Sequence, residues 1–204
     1  MIAGGENHLT PRTPPVPLVT LALRRHADTA WSVAGRIQGR ADLPLLENIS
    51  VSLPVACRGM RIVTSPLKRC VDTAALLGAP SAPREPRLVE MDWGAWEGES
   101  LAALRARLGD EMRDNEERGL DFRPPGGESP RMVVSRVKPW LKEIALERQP
   151  TCAITHRGVI RAVLAAASGW DMRGKPPAKL DWNAVHLFAL DSGGSPRILQ
   201  LNVT

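Results

Sequence analysis

Short apolar runs recur along the chain, and they are separated by segments in which apolar residues follow a helical spacing. Six such runs predict strands, at residues 18–24, 61–64, 87–90, 151–155, 185–190 and 198–201. Strands that alternate with helices are typical of an α/β domain with helices on both faces of its sheet. The pattern therefore predicts a three-layer α/β/α sandwich around a mainly parallel central sheet.

The helices are predicted from their end signals and from their apolar faces. Ser65 suits an N-cap, Pro66 a first helical residue and Gly78 a stop, so a helix is predicted over 65–78. The segment 26–42 is predicted as a loop. Helices are predicted around 44–51, over 100–114 and over 158–167. Another helix is predicted from Ser129 through Ile144, with a kink at Pro139. The inward face of the helix from Ser129 is predicted to carry Val133, Val137, Trp140, Leu141 and Ile144.

Composition favours one globular domain. The chain has 204 residues, of which 43% are hydrophobic and 24% charged, which is enough apolar material for a full core. Residues 1–17 are rich in Pro, Gly and Thr, so we expect a flexible tail before a domain at 18–204. The chain shows neither an apolar run of membrane-spanning length nor a signal-peptide pattern, which favours the cytoplasm and no membrane partner.

The net charge of +5 raises the question of an anionic partner. Lys and Arg are spread along the chain, aromatic residues make up only 4% and Tyr is absent, so a nucleic-acid partner is not expected. A solvated basic surface and a positive pocket for a phosphate ester both remain open. The three cysteines form no CxxC pair, and we expect buried thiols rather than disulfides or a zinc site.

Polar residues follow four of the predicted strands where each strand ends. Arg25 and His26 follow the first strand, Arg69 lies early in the helix after the second, Glu90 ends the third, and His156 follows the fourth. Because ligands of open α/β sheets bind beyond the carboxyl ends of the strands, these side chains are expected to share one site.

These residue types suit phosphoryl transfer. A neutral imidazole can attack phosphorus, and guanidinium groups such as those of Arg25 and Arg69 can each hold two phosphoryl oxygens. A carboxylic acid such as Glu90 can protonate the leaving alkoxide and then take a proton from water. Singly, Arg69 and Glu90 are also typical of solvated surface charges, so the case rests on their combination.

Five blocks in order give a specific resemblance. The run LALRRHADTAWSVAGRIQGRADLPL is followed by TSPLKRCVDTA, LVEMDWGAWEG, PPGGES and THRGVIRA, which together span Leu18 to Leu164. The chain resembles the histidine phosphatase (phosphoglycerate mutase-like) superfamily, in its phosphatase branch with α-ribazole phosphatase and broad-specificity phosphatases. The resemblance implies a three-layer α/β sandwich, with no metal and no other cofactor.

The resemblance also implies a role for each matching residue. His26 matches the phosphorylated nucleophile, Arg25 and Arg69 match phosphate-binding arginines, and His156 matches the second histidine that contacts the phosphoryl group. Glu90 matches the proton donor.

Three further phosphate-binding positions are implied by the first block, and two residues depart from the family pattern. Ser32 stands where the family often has Asn, and Arg36 and Gly39 match its Arg-x-x-Gly segment. Ala27 replaces a Gly, which would be costly at a positive φ. Arg157 replaces another Gly, and either adds charge to the pocket or points to solvent, with solvent favoured.

Together these features predict a metal-independent phosphomonoesterase that hydrolyses a small phosphate ester through a phosphohistidine on His26. The phosphatase is favoured because residues 100–122 are rich in Asp and Glu, whereas mutases carry extra basic residues there. A phosphoglycerate mutase-type phosphotransferase and a non-catalytic phospho-ligand binding protein are the alternatives. The expected partner is a small-molecule phosphate ester, and a homodimer is one option for assembly.

Overall fold

A five-stranded sheet forms the centre of the protein. A computed structural model describes residues 18–204, so the tail predicted at 1–17 lies outside the described residues. The strands are β1 (Val19–Arg25), β2 (Arg61–Thr64), β3 (Thr151–Thr155), β4 (Val185–Leu190) and β5 (Pro196–Val203). Their order across the sheet is β2-β3-β1-β4-β5.

The parallel pairs lie at the part of the sheet that matters for function. β3 pairs in parallel with both β1 and β2. β4 runs antiparallel to β1, and β5 antiparallel to β4, so the parallel part is flanked by an antiparallel hairpin. The prediction of a parallel sheet is therefore right for the first three strands.

Six α-helices and four short 3-10 turns surround the sheet in the described part of the chain. The helices are α1 (Ala30–Val33), α2 (Lys68–Leu76), α3 (Leu101–Leu108), α4 (Asp110–Glu116), α5 (Pro130–Glu147) and α6 (Arg157–Ser168). The 3-10 turns are Val55–Cys57, Pro86–Leu88, Gly94–Trp96 and Gly119–Asp121.

Alternate residues of β1 face the two helical layers. Leu21 and Leu23 belong to a buried cluster with α5 and α6, which contains all five residues predicted to point inward from α5. Ala22 faces the other way, into a cluster with Cys70 and Ala74 of α2. A period-2 pattern in a strand covered on both faces is the basis of a three-layer domain, as predicted. All three cysteines are free and buried, as expected.

The helix predicted over 65–78 begins later than expected. α2 begins at Lys68, and its N-cap residue Leu67 makes no side-chain capping bond. The Ser65 hydroxyl lies 2.8 Å from Nε2 of His156 and accepts a longer bond of 3.4 Å from the amide of Leu67, which precedes α2, so it does not bond to an amide within the helix. The stop at Gly78 fits, since α2 ends two residues before it.

The strand predicted at 87–90 is wrong. Pro86 begins a 3-10 turn, and the Glu85 carboxylate caps it by accepting the amide hydrogen of Arg87. A proline with its fixed φ suits the first position of a helical turn, and it cannot donate to a strand ladder. Glu90 consequently lies in an irregular segment just beyond this turn.

Positive φ angles explain two of the other differences. Asn48 has a φ of 56°, and the segment predicted as a helix at 44–51 forms turns instead. Gly109, with a φ of 52°, divides the helix predicted over 100–114 into α3 and α4. The segment 26–42, predicted as a loop, contains the short helix α1 behind a Thr29 cap. α5 continues through Pro139, where a kink stays a prediction.

Candidate active site

The parallel strands bring two histidines and a serine side by side. The β1–β3 ladder extends one residue further, because the His26 amide donates to the carbonyl of Thr155 at 2.9 Å. The Ser65 amide donates in the same way to Ile154, again at 2.9 Å. As a result the ring centroids of His26 and His156 are only 5.2 Å apart, at an interplanar angle of 57°.

His26 is held in one tautomer by its own backbone. Its Nδ1 lies 2.7 Å from the Ala27 carbonyl oxygen, which can only accept, so Nδ1 carries the proton and Nε2 keeps a free lone pair. Burial, together with the charges of Arg25 and Arg69, holds the pKa of His26 well below its usual value. The ring is therefore neutral at neutral pH.

Ala27 fits without the strain considered for this position. Its φ is not positive, and its amide donates to Oγ1 of Thr73 at 2.9 Å. The side chain is buried. The replacement of Gly by Ala therefore leaves the backbone after His26 unstrained.

His156 is fully buried behind the opening of the site. Its Nε2 lies 2.8 Å from the Ser65 hydroxyl and 3.4 Å from the Cys70 sulfur. Burial lowers the pKa of His156 well below its usual value, with further contributions from Arg69 and His26. Both histidines are consequently uncharged in a strongly cationic setting.

Two buried arginines flank the histidines. Arg69 is 0% exposed and donates to the carbonyls of Ala41 and Gly39, each at 2.7 Å. Arg25 lies 3.1 Å from the Asp28 carboxylate. The Nε atoms of Arg25 and Arg69 are buried without a partner in the described part of the chain. An anion bound here would meet donors that the protein leaves unused.

Glu90 accepts two backbone amides. Met91 donates to its Oε1 at 2.7 Å, and Gly158, at the start of α6, donates at 3.1 Å. Burial nevertheless raises the pKa of Glu90, against the lowering effect of these amides and of Arg69. The carboxyl group is thus more easily protonated than a solvated glutamate, which a general acid requires.

A cavity of about 670 Å³ connects these groups. Arg25, His26, Arg69 and Glu90 line it, whereas His156 does not. The structure therefore brings together the residues predicted from four separate segments, with His156 in the layer behind.

The sequence model of the histidine phosphatase superfamily (branch 1) matches residues 21–204. The chain belongs to this superfamily. Phosphoserine phosphatase 1 of Hydrogenobacter thermophilus is 29% identical over 166 residues, covering 76% of this chain and 79% of that protein. A 2,3-bisphosphoglycerate-dependent phosphoglycerate mutase of Methylobacterium radiotolerans is 32% identical, covering 73% of this chain and 79% of that protein.

A solved structure shares the fold. A mycobacterial glucosyl-3-phosphoglycerate phosphatase superposes with a TM-score of 0.72 at 23% identity, over 92% of this chain and 100% of that one. The predicted family, fold and phosphatase class are thus confirmed. The role of each residue stays a prediction. Residues 18–204 contain neither a helix able to cross a membrane nor a cluster of His, Cys, Asp and Glu suited to a metal ion.

The three additional phosphate-binding positions differ in what they offer. Ser32 lines the cavity, but its hydroxyl is within 2.9 Å of the Asp28 carboxylate and caps α1 together with Thr29. Arg36 lines the cavity with an exposed side chain. Gly39 has a φ of 52°, and a Cβ there would lie 1.9 Å from Oε1 of Glu97. The contact of Gly39 with the other site residues is its carbonyl, which accepts from Arg69 at 2.7 Å.

Arg157 lines the cavity and its side chain is also exposed, so it adds charge to the pocket while keeping the contact with solvent favoured from sequence. The reason is its place at the first residue of α6, directly after His156, with its guanidinium over the Trp182 ring. Trp93 also lines the cavity and packs against Phe122.

Sequence reasoning missed the residue that supports the Glu90 segment. Arg136 of α5 donates to the carbonyls of Arg87 and Val89, the latter at 2.7 Å, and pairs with Glu128 at 3.0 Å. An arginine on the helix face next to the buried Val133 and Val137 was the available signal, but its target lies 47 residues away in sequence.

Proposed function

We propose that the chain is a metal-independent phosphomonoesterase that transfers the phosphoryl group of a small ester to Nε2 of His26 and then to water. The observation that carries the proposal is the tautomer of His26. Its Nδ1 is committed to the Ala27 carbonyl, so the free lone pair lies on Nε2, in a ring that lines the cavity beside two arginines.

In the first step the Nε2–P bond forms while the bond from phosphorus to the ester oxygen breaks. Arg25 and Arg69 stabilise the equatorial oxygens, on which the negative charge is spread. Glu90 in its protonated form gives its proton to the leaving alkoxide, and the alcohol departs. His156 lies behind His26 and contacts both His26 and Ser65, and it supports the site through these contacts.

In the second step water attacks phosphorus and the P–N bond breaks. Glu90, now a carboxylate, takes the proton from this water, and inorganic phosphate leaves. The lowered pKa of His26 and the raised pKa of Glu90 support this division of roles, because the first favours a neutral nucleophile and the second makes the carboxyl group easier to protonate.

A hydrolase is favoured over a mutase by the region after the Glu90 block. Arg105 of α3 lines the cavity, but it forms an ion pair with Glu116 at 2.7 Å. The relatives that are named mutases keep a bisphosphate-dependent phosphotransferase as the second candidate. Priming by a bisphosphate and the appearance of an isomeric phosphoester would identify it.

The test is hydrolysis of p-nitrophenyl phosphate by the full chain in EDTA, for the wild type and for His26→Ala. We expect turnover that disappears in the variant and an acid-labile phosphoenzyme that forms only in the wild type. His186→Gln is the matched control, since His186 is buried in β4 outside the cavity lining. If the wild type is folded but shows no turnover, the mutase and the binding-only protein remain as explanations.

Location and assembly stay predictions. We further propose a cytoplasmic enzyme, with a domain at residues 18–204 behind the tail and with a homodimer as one option. Cell fractionation and light scattering of the purified chain measure these points.

A further inference from the structure

The cavity holds more positive charge than one phosphoryl group needs. Besides Arg25 and Arg69, its lining includes Arg36, Arg105, Arg157 and Arg161. Arg105 is neutralised by Glu116, as described above. The other three guanidinium groups have no carboxylate within ion-pair distance and make no side-chain hydrogen bond within residues 18–204.

Two of these arginines lie on one face of α6. Arg157 is the first residue of the helix, and Arg161 follows one turn later, so both side chains leave the same face of α6. Each is stacked on a tryptophan, since the guanidinium carbon is 5.0 Å from the ring centroid of Trp182 for Arg157 and of Trp170 for Arg161. A guanidinium over a ring face is held by cation–π attraction, and its N–H groups can still donate to an anion such as a carboxylate or a phosphate.

The position of Arg157 links the phosphoryl site to a second groove. Arg25, Ser32, Arg157 and Trp182 line both the cavity and a neighbouring groove of about 550 Å³. Burial and the like charge of Arg25 lower the pKa of Arg157. An anion between Arg25 and Arg157 would relieve this repulsion.

We propose that Arg157 and Arg161 form a subsite for a second anionic group, a carboxylate or a phosphate, on the alcohol side of the substrate. The inference rests on the proposed function, because it places the scissile phosphoryl group at His26. Under this proposal the substrates are phosphomonoesters whose alcohol carries a negative charge of its own. The two arginines of α6 provide the preference for these substrates.

The experiment compares substrates that differ by one charged group. 3-Phosphoglycerate and glycerol 3-phosphate differ in the carboxylate, and fructose 1,6-bisphosphate and fructose 6-phosphate differ in a second phosphate. We expect wild-type kcat/KM to favour an anionic member, and Arg157→Ala with Arg161→Ala to reduce that preference about tenfold, mainly through KM. The pair that responds identifies the anion as carboxylate or phosphate.

Two controls keep the outcomes distinct. Arg197→Ala removes an exposed arginine of β5 outside the cavity lining and should leave the preference intact. Trp182→Leu removes the ring under the Arg157 guanidinium, from a side chain that also lines the cavity and packs against the core, and should weaken the preference partly. Equal losses on the charged and neutral members of both pairs, or no wild-type preference in either, overturn the subsite while p-nitrophenyl phosphate hydrolysis still supports the phosphatase.

Calorimetry decides the subsite if no ester is hydrolysed. In the His26→Ala background, 3-phosphoglycerate or fructose 1,6-bisphosphate should bind more tightly than its less charged partner, and the double arginine variant should lose this difference. Absent turnover with this binding pattern would overturn the phosphatase and keep the subsite. Absent turnover with equal affinities would overturn both.

Discussion

The two sides of the active site are held in place by different forces. On one side, His26, Ser65 and His156 follow the ends of three neighbouring parallel strands, and backbone ladder bonds at 2.9 Å carry the first two. On the other side, Glu90 lies in an irregular segment that side chains attach to the rest of the protein. The strand side shares its stability with the core, whereas the loop side depends on a few local contacts.

This difference implies that substitutions on the two sides fail in different ways. A change on the strand side should lower the free energy of unfolding together with activity. A change on the loop side should displace Glu90, the proposed general acid, and lower activity with little effect on folding.

Gly158→Ala should give the largest loss of activity on the loop side. A Cβ at this position would lie 2.3 Å from Oε1 of Glu90 and 3.1 Å from Cβ of Met91, so the carboxyl group must move. We expect kcat/KM for an alkyl phosphate, which reports only the steps up to the phosphohistidine, to fall about 100-fold. p-Nitrophenyl phosphate should lose far less, because its leaving group needs little protonation.

The matched control is Gly193→Ala, in the turn between β4 and β5. There an added Cβ meets only a side-chain oxygen, that of Asp191 at 3.3 Å. It should leave both substrates unaffected. Equal losses of alkyl and aryl substrates in Gly158→Ala would show that the clash disturbs more than proton donation.

Arg136→Met should give a smaller loss with the same substrate pattern. The variant frees the carbonyls of Arg87 and Val89, which hold the segment leading to Glu90. We expect kcat/KM for an alkyl phosphate to fall about tenfold, with a displaced alkaline limb of its pH profile, because Arg136 also lowers the pKa of Glu90. Arg136→Lys should restore part of the lost activity and part of the displacement of the alkaline limb.

The stability readout separates positioning from folding. Because both carbonyls are only partly buried, Arg136→Met should cost about 1 kcal/mol in urea unfolding. A much larger loss of stability, with an unchanged pH profile, would mean that Arg136 supports the fold rather than the acid.

Ser65→Ala tests the strand side and should show the opposite balance. The change leaves Nε2 of the fully buried His156 without its 2.8 Å partner, and only the Cys70 sulfur remains near. We expect the free energy of unfolding to fall by about 1–3 kcal/mol and kcat by only a few fold. Ser135→Ala on the exposed face of α5 is the control. A large loss of activity without loss of stability would break the comparison.

The same division explains what could be predicted from the amino-acid sequence. His26 and His156 were placed correctly because they follow buried strands, whose apolar runs are a local signal and whose parallel pairing places their ends together. The inward residues of α5 were placed by the same kind of local periodicity.

The loop side carries weaker local signals. The strand predicted at 87–90 failed because Pro86 and the Glu85 cap favour a 3-10 turn, and nothing in the segment indicates the distant Arg136 that holds it. Ser65 has the features of a cap, yet its hydroxyl bonds to a histidine 91 residues away. Such assignments depend on contacts between distant segments, which a local pattern does not contain.

The effect that distinguishes the two sides by sign is the pH dependence of stability. Burial lowers the pKa of His26 and His156 well below the usual 6.5, so the native state binds fewer protons than the unfolded chain. The contribution of the two neutral rings to the free energy of unfolding is complete above pH 6.5. It is lost as the pH falls, at up to about 1.4 kcal/mol per pH unit for each ring.

Glu90 has the opposite sign. Its pKa is raised above 4.5, so its contribution is complete below pH 4.5 and is lost as the pH rises through the folded value. The free energy of unfolding, measured in urea between about pH 4 and pH 8, should therefore change with pH. His156→Gln should flatten this slope below pH 6.5, and Glu90→Gln should steepen it just above pH 4.5. If both variants change the slope in the same direction, the pKa shifts of His156 and Glu90 do not have opposite signs as the structure implies.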